Sequence, residues 1–205
     1  MTTPPPAAER ELREALLRAA EEEVAEHGSA SVSLRAVARR AGVSHAAPAY
    51  HFVDKAGLLT ALAIRGYQRL AASMREAIAT GDGQAPAREL QAAGLGYVRF
   101  ALAHPGLFDV MWRSSVLHRD DPELEQHADA AFDVLLEAIG AAQARGWAAG
   151  RDATHLALVA WSWVHGFATL WLAGPLCELA EGGSVEDLAA ATGGLLIEAL
   201  AGAGP

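Results

Sequence analysis

Apolar residues recur along this chain at intervals of three and four, and no stretch shows a convincing alternation of apolar with polar side chains. Such a chain can bury its apolar surface only as packed amphipathic helices. Leu12, Leu16, Ala20 and Val24 repeat every four residues in a first helix from about Ala8 to His27, which Gly28 ends. In "SVSLRAVARRAGVS", Ser33 stands as an N-cap before Leu34, Val37, Ala38 and Ala41, a buried face about two turns long. Gly42 breaks that helix and Ser44 can cap the next. Asp54 then caps a longer helix carrying Leu58, Leu59, Leu62, Gly66, Leu70 and Met74.

Further along, "TGDGQAP" at residues 80–86 reads as a linker, with Pro86 as the first residue of the following helix. Pro105 opens another helix, and Asp121 followed by Pro122 a further one. "RGWAAGRD" and "AEGGSVED" are the remaining breaks. The expected fold is all-α with about nine helices. It divides into a tail at 1–7, a three-helix unit with a helix-turn-helix at 8–53, a connecting helix at 54–80, and a larger helical domain at 81–205.

Composition narrows the class. With 52% hydrophobic and 20% charged residues, the 205-residue chain is that of a folded globular protein. Cys177 is the only cysteine, which excludes an internal disulfide and a cysteine-rich zinc site and fits a reducing, cytoplasmic compartment. The N-terminus has neither the basic nor the apolar region of a signal peptide. The net charge of -9 is unevenly spread: residues 28–70 hold Arg35, Arg39, Arg40, Lys55, Arg65 and Arg69 against Asp54 alone. A local basic patch on an acidic body points to an oriented anionic partner. Residues 153–177 carry no Asp, Glu, Lys or Arg. His155, Ser162 and His165 interrupt this run and no later Lys or Arg would orient it, so a helix buried from several sides is expected rather than a membrane span.

A short helix, a glycine turn and a second short helix make the unit whose second helix enters the DNA major groove. If the apolar face of 34–41 packs inward, Arg35, Arg39 and Arg40 are left toward solvent or phosphate. "SVSLRAVARRAGVSHAAPAYHFVDKAGLLTALA" resembles the DNA-binding region of the TetR family of transcriptional regulators. The likeness rests on "VA" in the first short helix, "AGVS" at the turn, an aromatic end to the second, and "DK" followed by "LL". It covers about residues 8–70. The resemblance implies phosphate contacts from Ser33 and Arg35, a recognition helix beginning at Ser44, His45, Ala46 and Ala47, and a backbone contact from Lys55. The tyrosine the family places late in this helix aligns with Ala49, so the aromatic contact passes to Tyr50 and His51. Pro48, counted from Ser44 as the cap, would cost only the first bond of a short, stiff helix. Phe52 is expected in the core.

The same resemblance implies a homodimer on near-palindromic double-stranded operator DNA, repressing until a small apolar or aromatic effector binds the second domain. "AWSWVHGFATLWLAG" resembles a subgroup marked by Trp–His–Gly late in that domain. Tyr97, Phe100, Phe108, Met111, Trp112, Phe132, Trp161 and His165 are the pocket candidates, although composition cannot separate pocket from core. One helix face, Leu156, Val159, Trp163, Gly166 and Leu170, is assigned to a four-helix dimer contact with Leu188, Leu195 and Leu196 from residues 184–202. No phosphate loop, nucleophile elbow or zinc motif is present, and neither metal nor cofactor is expected. The alternative is a helical protein-interaction module whose helix-turn-helix is structural only; a small helical enzyme would need a catalytic cluster the sequence does not show.

Overall fold

The computed structural model describes residues 6–81, 84–180 and 182–202. Residues 82–83 of the expected linker, 1–5 of the expected tail and 181 of the last break lie outside them. Among the described residues there are ten α-helices, a single 3-10 turn at Ser114–Val116, and no strand.

The first two helices follow their signals closely. Helix α1 spans Ala7–His27 and stops at Gly28, whose φ of 76° is a conformation that favours glycine. Helix α2, Leu34–Ala41, is capped by Ser33, whose Oγ accepts the Ala36 N–H at 3.2 Å. Gly42 ends it in the left-handed region at φ 68°, ψ 29°. Helix α3 is Ala47–Phe52, and α4 runs Lys55–Thr80. Its cap is Asp54, whose Oδ1 accepts the Gly57 N–H at 2.7 Å.

Beyond these lie α5 (Arg88–Ala103), α6 (Pro105–Trp112), α7 (Pro122–Ala144), α8 (Ala153–Leu172), α9 (Pro175–Leu179) and α10 (Val185–Gly202). Helix α5 begins two residues after Pro86, because residues 85–87 form a bend and turn first. Asp121 caps α7, accepting from the Glu123 and Leu124 N–H groups, and Asp152 caps α8 through His155. The uncharged run does not stay one helix. Gly174 at φ 106° ends α8 and Pro175 opens the short α9. No described helix is long and apolar enough to cross a membrane.

The chain divides into two compact units. One comprises Met1–Tyr67 with His104–His127, the other Gln68–Ala103 with Ala128–Pro205. In the first, Leu16, Ala20, Val37, Ala38, Leu58 and Leu62 are fully buried, which are the positions the three- and four-residue spacing selects. In the second, Leu90, Ile139, Ala142, Trp147, Leu156 and Ala157 belong to one core cluster. Trp147 buries its ring there and donates Nε1–H to the Ile197 carbonyl at 3.1 Å. Helices α4 and α5 meet backbone to backbone: a Cβ on Gly96 would lie 2.6 Å from the Ser73 carbonyl, and Ser73 Oγ donates to the Gly96 carbonyl at 2.8 Å.

Candidate nucleic-acid interface

The helix-turn-helix is fixed from beneath by α1. Val37 and Ala38 turn inward, which leaves Arg35 and Arg39 exposed and without an ion pair among the described residues. Arg40 departs from the sequence expectation. Its Nε donates to Glu23 at 2.7 Å, its Nη1 to Glu26 at 2.9 Å and to Glu22 at 3.4 Å, and its Nη2 to Glu26 as well. Glu23 is itself buried. Hydrogen bonding from Arg40 holds the Glu26 carboxyl below the usual carboxylate range. Arg40 therefore ties α2 to α1 and is not left toward solvent. Arg65 is likewise held by Glu14 and Glu21 of α1. The sequence signal for both ties is the acidic run at 21–26, which lies outside the basic segment and matches it in charge.

The recognition helix starts later than expected. Ala46, not Ser44, occupies the cap position, and no side chain caps it. The Ser44 carbonyl accepts instead from the Ala47 N–H at 3.1 Å, and the first four-residue bond runs from the Tyr50 N–H to the Ala46 carbonyl at 3.2 Å. Pro48 thus sits in the first turn, where an N–H has no helical partner, and its missing donor costs no bond. Its ring is buried, while Ser44, His45, Ala46 and Ala49 are exposed and Ala47 and His51 half-buried. Tyr50 is 75% exposed, with its ring edge-on to His51 at 5.2 Å. Phe52 is buried as expected, and Arg13 of α1 lies over its ring at 5.4 Å.

The exit from α3 is tightly built. Val53 has φ 66° and ψ −59°, and the Asp54 N–H donates to the Phe52 carbonyl at 2.7 Å, which makes a γ-turn. A β-branched residue at positive φ is strained. Lys55 donates Nζ–H to the Ala30 carbonyl at 2.8 Å, so its ammonium lies over the turn that leads into α2. Residues of the second segment of this unit hold the same two turns. Ser29 Oγ donates to Asp109 Oδ2 at 2.8 Å, and Arg113 Nε donates to the same oxygen at 2.7 Å. The His118 N–H donates to the buried Thr60 Oγ1 at 2.9 Å, and His118 Nε2 lies 3.3 Å from Asp54 Oδ1. These partners are not legible in the sequence, because nothing local marks a contact across 58 or 80 residues.

The aromatic pocket candidates fall in both units. Phe108, Met111 and Trp112 belong to the first, where Trp112 packs edge-on to Tyr67 at 5.8 Å and Phe108 at 6.2 Å. Tyr97, Phe100, Phe132, Trp161 and His165 belong to the second. Within it Tyr97 Oη and His165 Nδ1 are 2.9 Å apart, and Phe132 meets Trp161 at 5.9 Å. Burial pushes His165 down, which favours its neutral form. Of the dimer-face candidates, Leu156 is buried within its own unit, and Trp163 packs against Gly193, where a Cβ would come within 2.9 Å. Val159 and Leu170 of α8 and Leu195 of α10 remain exposed, while Gly166, Leu188 and Leu196 are half-buried.

Comparison with known proteins agrees with this geometry. The family described as "Bacterial regulatory proteins, tetR family" matches residues 16–62, and "Tetracyclin repressor-like, C-terminal domain" matches residues 90–202. No curated protein matches the chain. Among solved structures, a protein of unknown function from Rhodococcus sp. RHA1 is 35% identical, covers 93% of this chain and 95% of its own, and superposes with a TM-score of 0.81. The TetR family regulator PfmR from Thermus thermophilus is 18% identical, with 89% and 97% covered and a TM-score of 0.69. FadR from Bacillus subtilis, solved with stearoyl-CoA, is 17% identical, with 93% and 98% covered and a TM-score of 0.63. The last two share the fold. With both segments matched, the chain belongs to the TetR family and is a DNA-binding regulator of transcription.

Proposed function

We propose that the protein is a homodimeric repressor that reads a near-palindromic operator through α2 and α3 and is released by a small apolar or aromatic effector. The observation that carries this reading is the exposed surface of Ser44, His45, Ala46 and Tyr50 on a buried, α1-anchored base, with the exposed cations Arg35 and Arg39 beside it. A helix-turn-helix presents its second helix to the major groove, with cations and backbone N–H groups on phosphate, and such a surface suits that role. His45 and Tyr50 are the base readers, and Ala46 or Ala47 suits a thymine methyl. Ser33, Lys55 and His51 complete the contact set. Lys55 keeps two N–H groups for phosphate beyond the one given to Ala30.

Val159, Leu170 and Leu195 leave apolar surface on α8 and α10, which supports a dimer contact there with Gly166, Leu188 and Leu196 beside it. The Trp163–Val164–His165–Gly166 sequence supports membership of the subgroup with that signature. The Tyr97–His165 pair offers a polar anchor among aromatic side chains for an otherwise apolar effector. A gel shift with the DNA flanking the protein's own gene tests the reading. Retarded DNA that is lost in Arg35→Ala and Tyr50→Ala supports it, and retardation unchanged in both variants refutes the site.

A further inference from the structure

The segment from α6 to the start of α7 grips the helix-turn-helix at both of its ends. At the entry, Asp109 accepts the Ser29 hydroxyl at 2.8 Å in the turn before α2. At the exit, His118 makes two contacts with the first turns of α4. Its N–H bonds the buried Thr60 Oγ1, which in turn donates to the Ala56 carbonyl at 2.8 Å, and its imidazole faces Asp54. Asp54 is separated from the last residue of the recognition helix only by Val53, and the γ-turn fixes that joint. Whatever moves Asp54 moves the end of α3.

Building on the operator-binding reading above, we propose that His118 is a positioning residue for operator recognition: its imidazole pairs with Asp54 and holds the exit joint of the recognition helix in the DNA-binding arrangement. Asp54 is anionic throughout the neutral range, because the Gly57 N–H, and after it His118, hold its carboxyl below the ordinary value. Of the charged groups on α4 at this end, Asp54 meets the imidazole, while the Lys55 ammonium is turned to the Ala30 carbonyl. On its own segment His118 is followed by Arg119, Asp120 and Asp121, the last of which caps α7. Both partners are about half exposed, which keeps the effect modest.

The test is operator affinity of the full-length wild type, His118→Ala, His118→Gln, Asp54→Asn and the double variant His118→Ala, Asp54→Asn. Asp54→Asn keeps an oxygen to cap α4 and removes the charge. His118→Ala and Asp54→Asn should each weaken binding about two- to five-fold per DNA-binding head, the double variant no further than either, and His118→Gln, which keeps an N–H donor toward Asp54, should recover most of the loss. The salt dependence of binding should stay as in the wild type, because a positioning residue neutralises no phosphate. Wild-type affinity in His118→Ala would overturn the proposal, as would additive losses in the double variant or a fall in salt dependence in His118→Ala. A wild type that binds no DNA sinks the operator reading first and this inference with it. Specific binding by the wild type, with additive losses or none in the variants, sinks this inference alone.

Discussion

Arg35 and Arg40 lie on the same short helix five residues apart, yet the structure gives them different work, and salt can separate the two. Arg35 is exposed and has no ion pair among the described residues, whereas Arg40 is held by Glu23 and Glu26. In a dimer, Arg35→Ala removes two phosphate contacts, one per head. Each neutralised phosphate contributes about 0.9 to the slope of log affinity against log salt, so the slope should fall by about 1.8. Between about 50 and 200 mM salt the variant should then lose roughly twelve-fold less affinity than the wild type does. Arg40→Ala should also weaken binding, since α2 loses its tie to α1 and Glu23 is left buried without its cation. Its salt slope should nevertheless match the wild type. Glu23→Gln, on the other side of the same tie, should reproduce that behaviour. The assay is fluorescence anisotropy of labelled operator over a salt series. A slope reduced in Arg40→Ala as much as in Arg35→Ala would show that Arg40 meets phosphate, and its glutamate partners would then not define its role.

Stability and assembly are open to test in the same way. Gly96→Ala should lower stability by about 1–3 kcal/mol, because its Cβ would sit 2.6 Å from the Ser73 carbonyl. Gly140→Ala on α7, where a Cβ meets nothing within 4 Å among the described residues, should instead raise it by about 0.5–1 kcal/mol. Urea denaturation reads both, and equal gains in the two variants would refute the close α4–α5 crossing. His165 is held below its ordinary value by burial, so the unfolded chain takes up a proton, near pH 6.5, that the folded chain resists. Stability on this account is fully present above that pH and is lost as the pH falls; His165→Gln should show a shallower loss from about pH 7 to 5 in thermal melts. Leu195 is 66% exposed and Val159 42% exposed, so the double variant Leu195→Glu, Val159→Asp should keep its fold but scatter light as a monomer at micromolar concentration. An unchanged dimer would move the interface elsewhere.

The helices were legible because their signals are local. Ser33, Gly42, Asp54, Asp121 and Asp152 act within three or four residues of themselves, and spacing alone selected Leu16, Val37 and Leu62 for burial. The start of the recognition helix was misread for a related reason. Ser44 has the chemistry of a cap, but its carbonyl is taken up by a three-residue turn and the helix opens at Ala47. Charge counting misjudged Arg40 and Arg65, whose partners lie on α1, 14 to 51 residues away. The joint at Asp54 was hidden altogether, since His118 and Thr60 carry no mark of their meeting. The aromatic residues of the second unit show the opposite limit: a buried Tyr97 or Phe100 satisfies core packing and pocket lining with the same letters.

The central claim is that the exposed surface of α2 and α3 reads DNA, and selection from a random duplex library tests it most directly. The wild type should enrich two inverted half-sites one helical turn or a multiple of it apart, about 10 base pairs centre to centre per turn. Tyr50→Ala and His45→Ala should relax the preference within each half-site while leaving that spacing unchanged. No enrichment by the wild type, or the same half-site sequence in all three proteins, would contradict the account.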